Sequence, residues 1–294
     1  MVDRAVRCVW AGEMLLGEGP VWDAAAQRLW FVDIKQHRVH RLDPTSGRVE
    51  SWAAPAAVGW AFPAAGGALI AGLQTGLARF DPATDAFDHL LAVEPDLPDN
   101  RLNDGTVAPD GSIWFGSMDD GERAATGHFY RFDGQAVSRT PIAPVIVSNG
   151  PAFSPDGATL YHVDTVGGII HAAPVAGDAM VGPSRVFARI DPSDGHPDGV
   201  TVDAAGDVWV GLWGGWRARC YAPDGTVLEE VRLPAANVTK IAFGGPDLRT
   251  AYATTARVGL SGEARAVQPQ AGSLFAFDVD TPGLPLPLAR SALT

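Results

Sequence analysis

Cysteine is nearly absent from this 294-residue chain: Cys8 and Cys220 are the only two, in no C-x-x-C spacing. A disulfide framework needs more thiols, and a redox or zinc motif needs them close together, so neither is expected. Charge is sparse at 19%, and cations are the scarcer sign, with 22 Lys and Arg against 34 Asp and Glu for a formal net charge of −12. No run of Lys and Arg occurs, which excludes the grip on nucleic acid or anionic membrane that clustered cations provide. No stretch approaches the ~20 apolar residues of a bilayer span, and the first residues hold no apolar segment of signal-peptide length. A cytoplasmic, monomeric protein without nucleic-acid or membrane partners is the expectation. The sequence also lacks a Gly-x-Ser-x-Gly elbow, so a serine esterase mechanism has no nucleophile to build on.

What the chain does have is a repeat. A short apolar run, a turn written Pro-Asp-Gly or Ala-Gly, and an apolar-aromatic run recur six times, as in "PVWDAAAQRLWFVDI", "TVAPDGSIWFGSM" and "TVDAAGDVWVGLW". Anchored on Trp22, Phe62, Val107, Phe153, Val202 and Phe243, the copies are spaced by 40, 45, 46, 49 and 41 residues. β-Branched and aromatic content with these turns reads as a hairpin, and a second hairpin such as "GLARFDPATDAFDHL" follows most copies. Two hairpins per repeat and six repeats predict an all-β six-bladed propeller, four antiparallel strands to a blade, as one domain over residues 1–294. The early strand "RAVRCVWAG" is expected to close the ring by joining the last blade beside "SLFAFDVD", which removes the free edge.

The first strand of each blade lines the channel of a propeller. Four residues before each anchor stand Glu18, Val58, Asn103, Asn149, Asp198 and Thr239. Four of the six are carboxylate or carboxamide, at one repeat position around one axis. Asn-Gly and Asp-Gly are also ordinary turn dipeptides, but Glu18 is a poor turn former and four coincident oxygen donors are not explained by turns. Two carboxylates converging on the axis would repel unless a divalent cation sat between them. Ca, Mg, Mn, Zn and Fe(II) all accept such a donor set, and no His or Cys cluster competes. On the same face the sequence places Arg101 and Asp104, flanking Asn103. The exits of second strands add Met118, Asp119 and Asp120, the stretch after Asp164, and Trp213 with Trp216. Arg101 reads equally as a substrate contact or as a salt bridge to Asp99 or Asp104. Asp33 and Asp164 read as structural, and Trp60 as packing.

With "LGEGPVWDAAAQRLWFVDI", "RLNDGTVAPDGSIWFGSM", "SNGPAFSPDGATLYHVDT", "HPDGVTVDAAGDVWVGLWGG" and "AANVTKIAFGGPDLRTAYATTA", nearly the whole chain resembles the senescence-marker-protein/regucalcin/gluconolactonase family. The resemblance implies metal-dependent hydrolysis of a sugar-acid lactone, such as a glucono-, xylono- or arabinonolactone, by a carboxylic ester hydrolase. It puts the metal ligands on Glu18, Asn149 and Asp198 and substrate contacts on Arg101 and Asn103, with Asn103 near or on the metal. Leu102 stands where the family often has Pro. Asp198, touching both metal and water, is the expected proton acceptor, and Asp104, Met118 and Asp119 are expected around the substrate. A related propeller hydrolase of phosphotriesters or other lactones, and a non-catalytic calcium-binding propeller, are the alternatives.

Overall fold

The Pro-Asp-Gly turns show why the hairpins form where they do. Gly111, Gly157 and Gly225 take positive φ, and the preceding Asp110, Asp156 and Asp224 accept the N–H two residues on, at 2.9, 3.0 and 2.9 Å. Asp supplies a local acceptor and Gly the left-handed backbone that reverses the chain. In the computed structural model, which describes residues 4–177 and 179–291, these hairpins build six four-stranded antiparallel sheets. The expected six-bladed β-propeller is the observed architecture. Arg7–Trp10 pairs with Leu274–Asp278 as the outermost strand of the sixth blade, closing the ring as expected. Among the described residues the only α-helix is the short Gly262–Val267, and no helix is long and apolar enough to cross a membrane.

The innermost strands of blades 1 to 6 are Gly17–Asp23, Val58–Pro63, Asn100–Val107, Ser148–Phe153, His196–Val202 and Asn237–Gly244. Each packs against the innermost strand of the next blade, with the first against the sixth. Their residues are almost all buried, whereas outermost strands such as Val49–Ala53 and Val227–Arg232 are largely exposed. Aromatic side chains fill the wedges between blades. Trp60, fully buried, stacks on Phe62 with ring centres 4.8 Å apart, which makes it a packing residue. A side chain on Gly72 would stand 2.3 Å from the Trp60 indole, so this strand needs the glycine to admit the ring.

Two histidines lie in these wedges and make stability depend on pH. His40 is flanked by Trp10 and Phe31 and meets Ser51 Oγ at 2.7 Å, and burial pulls its pKa down to about 4. His162 stacks on His171 and meets Ser184 Oγ at 2.8 Å, and burial lowers its pKa to about 3. The folded state binds these protons more weakly than the unfolded chain does. Their contribution is therefore whole above pH 6.5 and is lost as pH falls toward 4, by about 3 kcal/mol per histidine. Melting temperature measured from pH 7 to pH 4 is expected to fall, and His40→Gln and His162→Gln are expected to flatten the slope. An equal slope in both variants would assign the acid sensitivity elsewhere.

Candidate active site

Every innermost strand slips its register at the position the repeat singled out. The irregularities lie at Glu18/Val21, Val58/Trp60, Leu102/Gly105, Asn149/Ala152, Pro197/Val200 and Val238/Ile241. A β-bulge bends the strand and re-aims the side chain beside it, so six bulges at one level turn a ring of strands into a ring of inward side chains. Glu18, Asn103, Asn149 and Asp198 line one cavity of about 570 Å³ at an end of the channel. The other two ring positions do other work. Val58 is fully buried, and the Thr239 hydroxyl donates to the Gly17 carbonyl at 2.6 Å.

The donors are held by a chain of bonds. Asn149 Nδ2 donates to Thr165 Oγ1 at 2.9 Å, and its Oδ1 accepts only a longer 3.2 Å bond from Asn103 Nδ2. Asn103 Nδ2 also donates to the Ser148 carbonyl at 2.6 Å, while its Oδ1 accepts from Arg101 Nη1 at 2.5 Å. Arg101 Nε then reaches Asp120 Oδ1 at 2.6 Å, an oxygen it shares with Lys35 Nζ at 2.6 Å. Glu18 and Asp198 are both buried, at 4% and 5% exposure. Burial, followed by the charge of Asp104, pushes the Glu18 carboxyl up to about 8. Asp198 is driven well above the usual range by burial and then by the charges of Glu18 and Asp104. Two buried carboxyls that disfavour each other's charge, with amide oxygens in the same cavity wall, form an all-oxygen set that fits a hard divalent cation.

Several expected site residues do line the cavity: Arg101, Met118, Asp120 and Trp213 join the four ring residues. Asp104 does not, which corrects its placement as a substrate contact. It lies beneath the ring, 1% exposed, against Lys240 Nζ at 2.5 Å. Asp119 is likewise corrected: it accepts the N–H groups of Gly121 and Arg123 at 3.0 and 2.9 Å and pairs with the Arg123 guanidinium. Strand alternation explains this, since Met118 and Asp120 face the cavity and Asp119 between them cannot. Arg101 is salt-bridged to Asp120, to neither of the expected partners Asp99 and Asp104. Asp33 accepts the N–H groups of Leu15 and Leu16, and Asp164 that of Gly167 in a turn, as expected of structural residues. Trp216 is outside the cavity wall and half exposed.

Lys35 and His196 also line the cavity and were not anticipated. Both had a signal. Lys35 follows the second strand of blade 1, the place that yields Asp120 and Trp213 in other blades. His196 stands two residues before Asp198, and the residues two before Glu18, Asn103 and Asn149 are Leu16, Arg101 and Val147, all in the wall. A step of two along a strand keeps the same face.

The model of the SMP-30/gluconolactonase/LRE-like region matches residues 16–257. The chain belongs to this family. Among relatives of the SMP-30/gluconolactonase family it is 36% identical over 290 residues to a 6-deoxy-6-sulfogluconolactonase of Pseudomonas putida, covering 98% of this chain and 99% of that one. It is also 36% identical to an L-arabinolactonase of Azospirillum brasilense, across 88% of this chain and 87% of the relative. A solved structure of regucalcin, described as a calcium-binding protein, from Agrobacterium tumefaciens superposes with a TM-score of 0.94 at 30% identity, covering 99% of this chain and 100% of that one.

Proposed function

We propose that this protein hydrolyses the lactone of a sugar acid to the free acid, with one divalent cation held by Glu18, Asn149 and Asp198. The convergence of these three oxygen donors in one cavity carries the reading, and the named sugar lactonases among its relatives support the reaction class. The calcium-binding description of a structural neighbour supports a divalent cation without naming it. The cavity, at about 570 Å³, has the size of a small-molecule site.

A lactone is a cyclic ester, and hydrolysis adds water to its carbonyl and breaks the ring C–O bond. A bound divalent cation would supply Lewis acidity, polarising the carbonyl and acidifying nearby water. Asp198 takes the proton of the attacking water and returns it to the ring oxygen as the bond opens. Arg101 spends Nε on Asp120 and Nη1 on Asn103, leaving Nη2 for a sugar hydroxyl or the forming carboxylate. Asn103, held by Arg101 and the Ser148 carbonyl, orients the ring beside it.

The test is acid release from glucono-, xylono- and arabinonolactone, followed by pH-stat. Activity is expected on at least one of them, abolished by chelator and restored by divalent ions to different extents. Full activity in metal-free protein would remove the cation from the reaction. A metal-loaded protein inert to every aldonolactone would overturn the lactonase reading.

A further inference from the structure

The residue after each ring position is Gly19, Gly59, Gly150 or Gly199 in four blades, and Asp104 or Lys240 in blades 3 and 6. Blades 3 and 6 stand opposite each other in a ring of six. Their two charged side chains meet across the channel. Lys240 Nζ lies 2.5 Å from Asp104 Oδ1 and donates also to the Gly105 carbonyl at 3.0 Å. Asp104 further accepts Gly105 N–H at 2.7 Å and Gly150 N–H at 2.9 Å. Gly199 makes room for this bar: a Cβ there would stand 2.7 Å from Lys240 Cγ. The chain has only two lysines, Lys35 and Lys240, and both are at the site.

The bar has a cavity on each side. Toward the mouth lies the cavity holding Glu18 and Asp198, and on the far side Lys240 and Gly105 line a small void of about 60 Å³ with Phe62, Phe243, Leu284 and Leu286. The C-terminal segment closes that void from below, with Gly283 N bonded to the Leu248 carbonyl and Ala289 N to the Pro63 carbonyl. Water therefore screens the pair little, and in a poorly screened interior its charges act over several ångströms. Asp104 and Lys240 each follow a ring position by one residue, Asn103 and Thr239, so the bar lies directly beneath the ring.

We propose that Asp104 and Lys240 are positioning residues whose fixed, opposite charges set the affinity of the ring above them for a divalent cation, Asp104 strengthening it and Lys240 weakening it. This rests on reading Glu18, Asn149 and Asp198 as a cation site. A pair serving only to fill the channel would, when broken from either side, loosen the ring and weaken binding both times. Opposed charges predict opposed signs.

Calorimetric titration of the full-length protein with Mn²⁺ at one pH decides between these. Asp104→Asn is expected to weaken binding on the order of tenfold, and Lys240→Met to tighten it by a similar factor. Each single change strands a buried charge, so its fold is first checked by its melting transition, and the deciding comparison is Asp104→Asn against Asp104→Asn/Lys240→Met, which strands none. With residue 104 uncharged in both, removing the ammonium is expected to tighten Mn²⁺ binding about tenfold, back to near wild type. Equal or weaker binding by the double variant overturns the crossbar while leaving the cation site standing. Wild-type protein that binds no Mn²⁺, Ca²⁺ or Mg²⁺ overturns both.

Discussion

Asp198→Asn is expected to leave a loss of roughly 10²–10⁴-fold in kcat on an aldonolactone even when the cation site is saturated, the range that general-base catalysis contributes. The substitution keeps an oxygen at nearly the same place but removes a negative charge and the basicity. Two effects should separate on titration with metal. A weaker cation site shifts the metal concentration needed for half-maximal rate, because one of the two buried carboxylates is gone. The missing proton acceptor lowers the plateau itself. If saturating metal restores the wild-type plateau, Asp198 is a ligand only and the base lies elsewhere. Neither Asp104 nor Asp119 can then replace it, since one is locked beneath the ring by Lys240 and the other around Arg123. Asp120 and His196, both in the cavity wall, become the groups to test.

The fold was legible because its signal is repeated six times. Hairpin turns with Asp and Gly recur at nearly constant spacing, and each blade must bury both faces of its inner strand against a neighbour. The ring of Glu18, Asn103, Asn149 and Asp198 was legible for the same reason: equivalent repeat positions are equivalent places around an axis. What was not legible concerns side-chain direction within one strand. Choosing Asp119 over Asp120 needed the register of Ile113–Asp119, in which Met118 faces the cavity. The alternation of two would have excluded Asp119 and, carried back from Asp198, would have found His196. Asp104 was hidden differently. Its neighbour on the chain is Asn103, but its partner Lys240 lies 136 residues away, and only closure of the ring brings the two together. A charged residue at a position otherwise held by glycine was the available clue, since a lone buried carboxylate at the axis requires a compensating cation.

Arg101→Ala should lower kcat/KM about 10²–10³-fold while metal content stays at the wild-type level, the loss expected when a preorganised donor to developing negative charge is removed. The geometry supplies a control for the alternative in which Arg101 merely ties down a loop through Asp120. Asp120→Asn breaks that ion pair but leaves the Arg101 Nη1 bond to Asn103 in place. If loop anchoring is the role, Arg101→Ala and Asp120→Asn should lose comparable activity. If Arg101 contacts the substrate, Asp120→Asn should be the milder change, and Arg101→Lys should recover little. The ammonium keeps the charge, but it cannot bond Asp120, Asn103 and a substrate oxygen at once in the fixed planar fork of a guanidinium. Steady-state kinetics on the preferred lactone, with metal analysis of each variant, reads all of these outcomes. Equal losses in the two variants, or a wild-type rate in Arg101→Ala, would return Arg101 to a structural ion pair and leave Asn103 as the principal substrate contact on that wall.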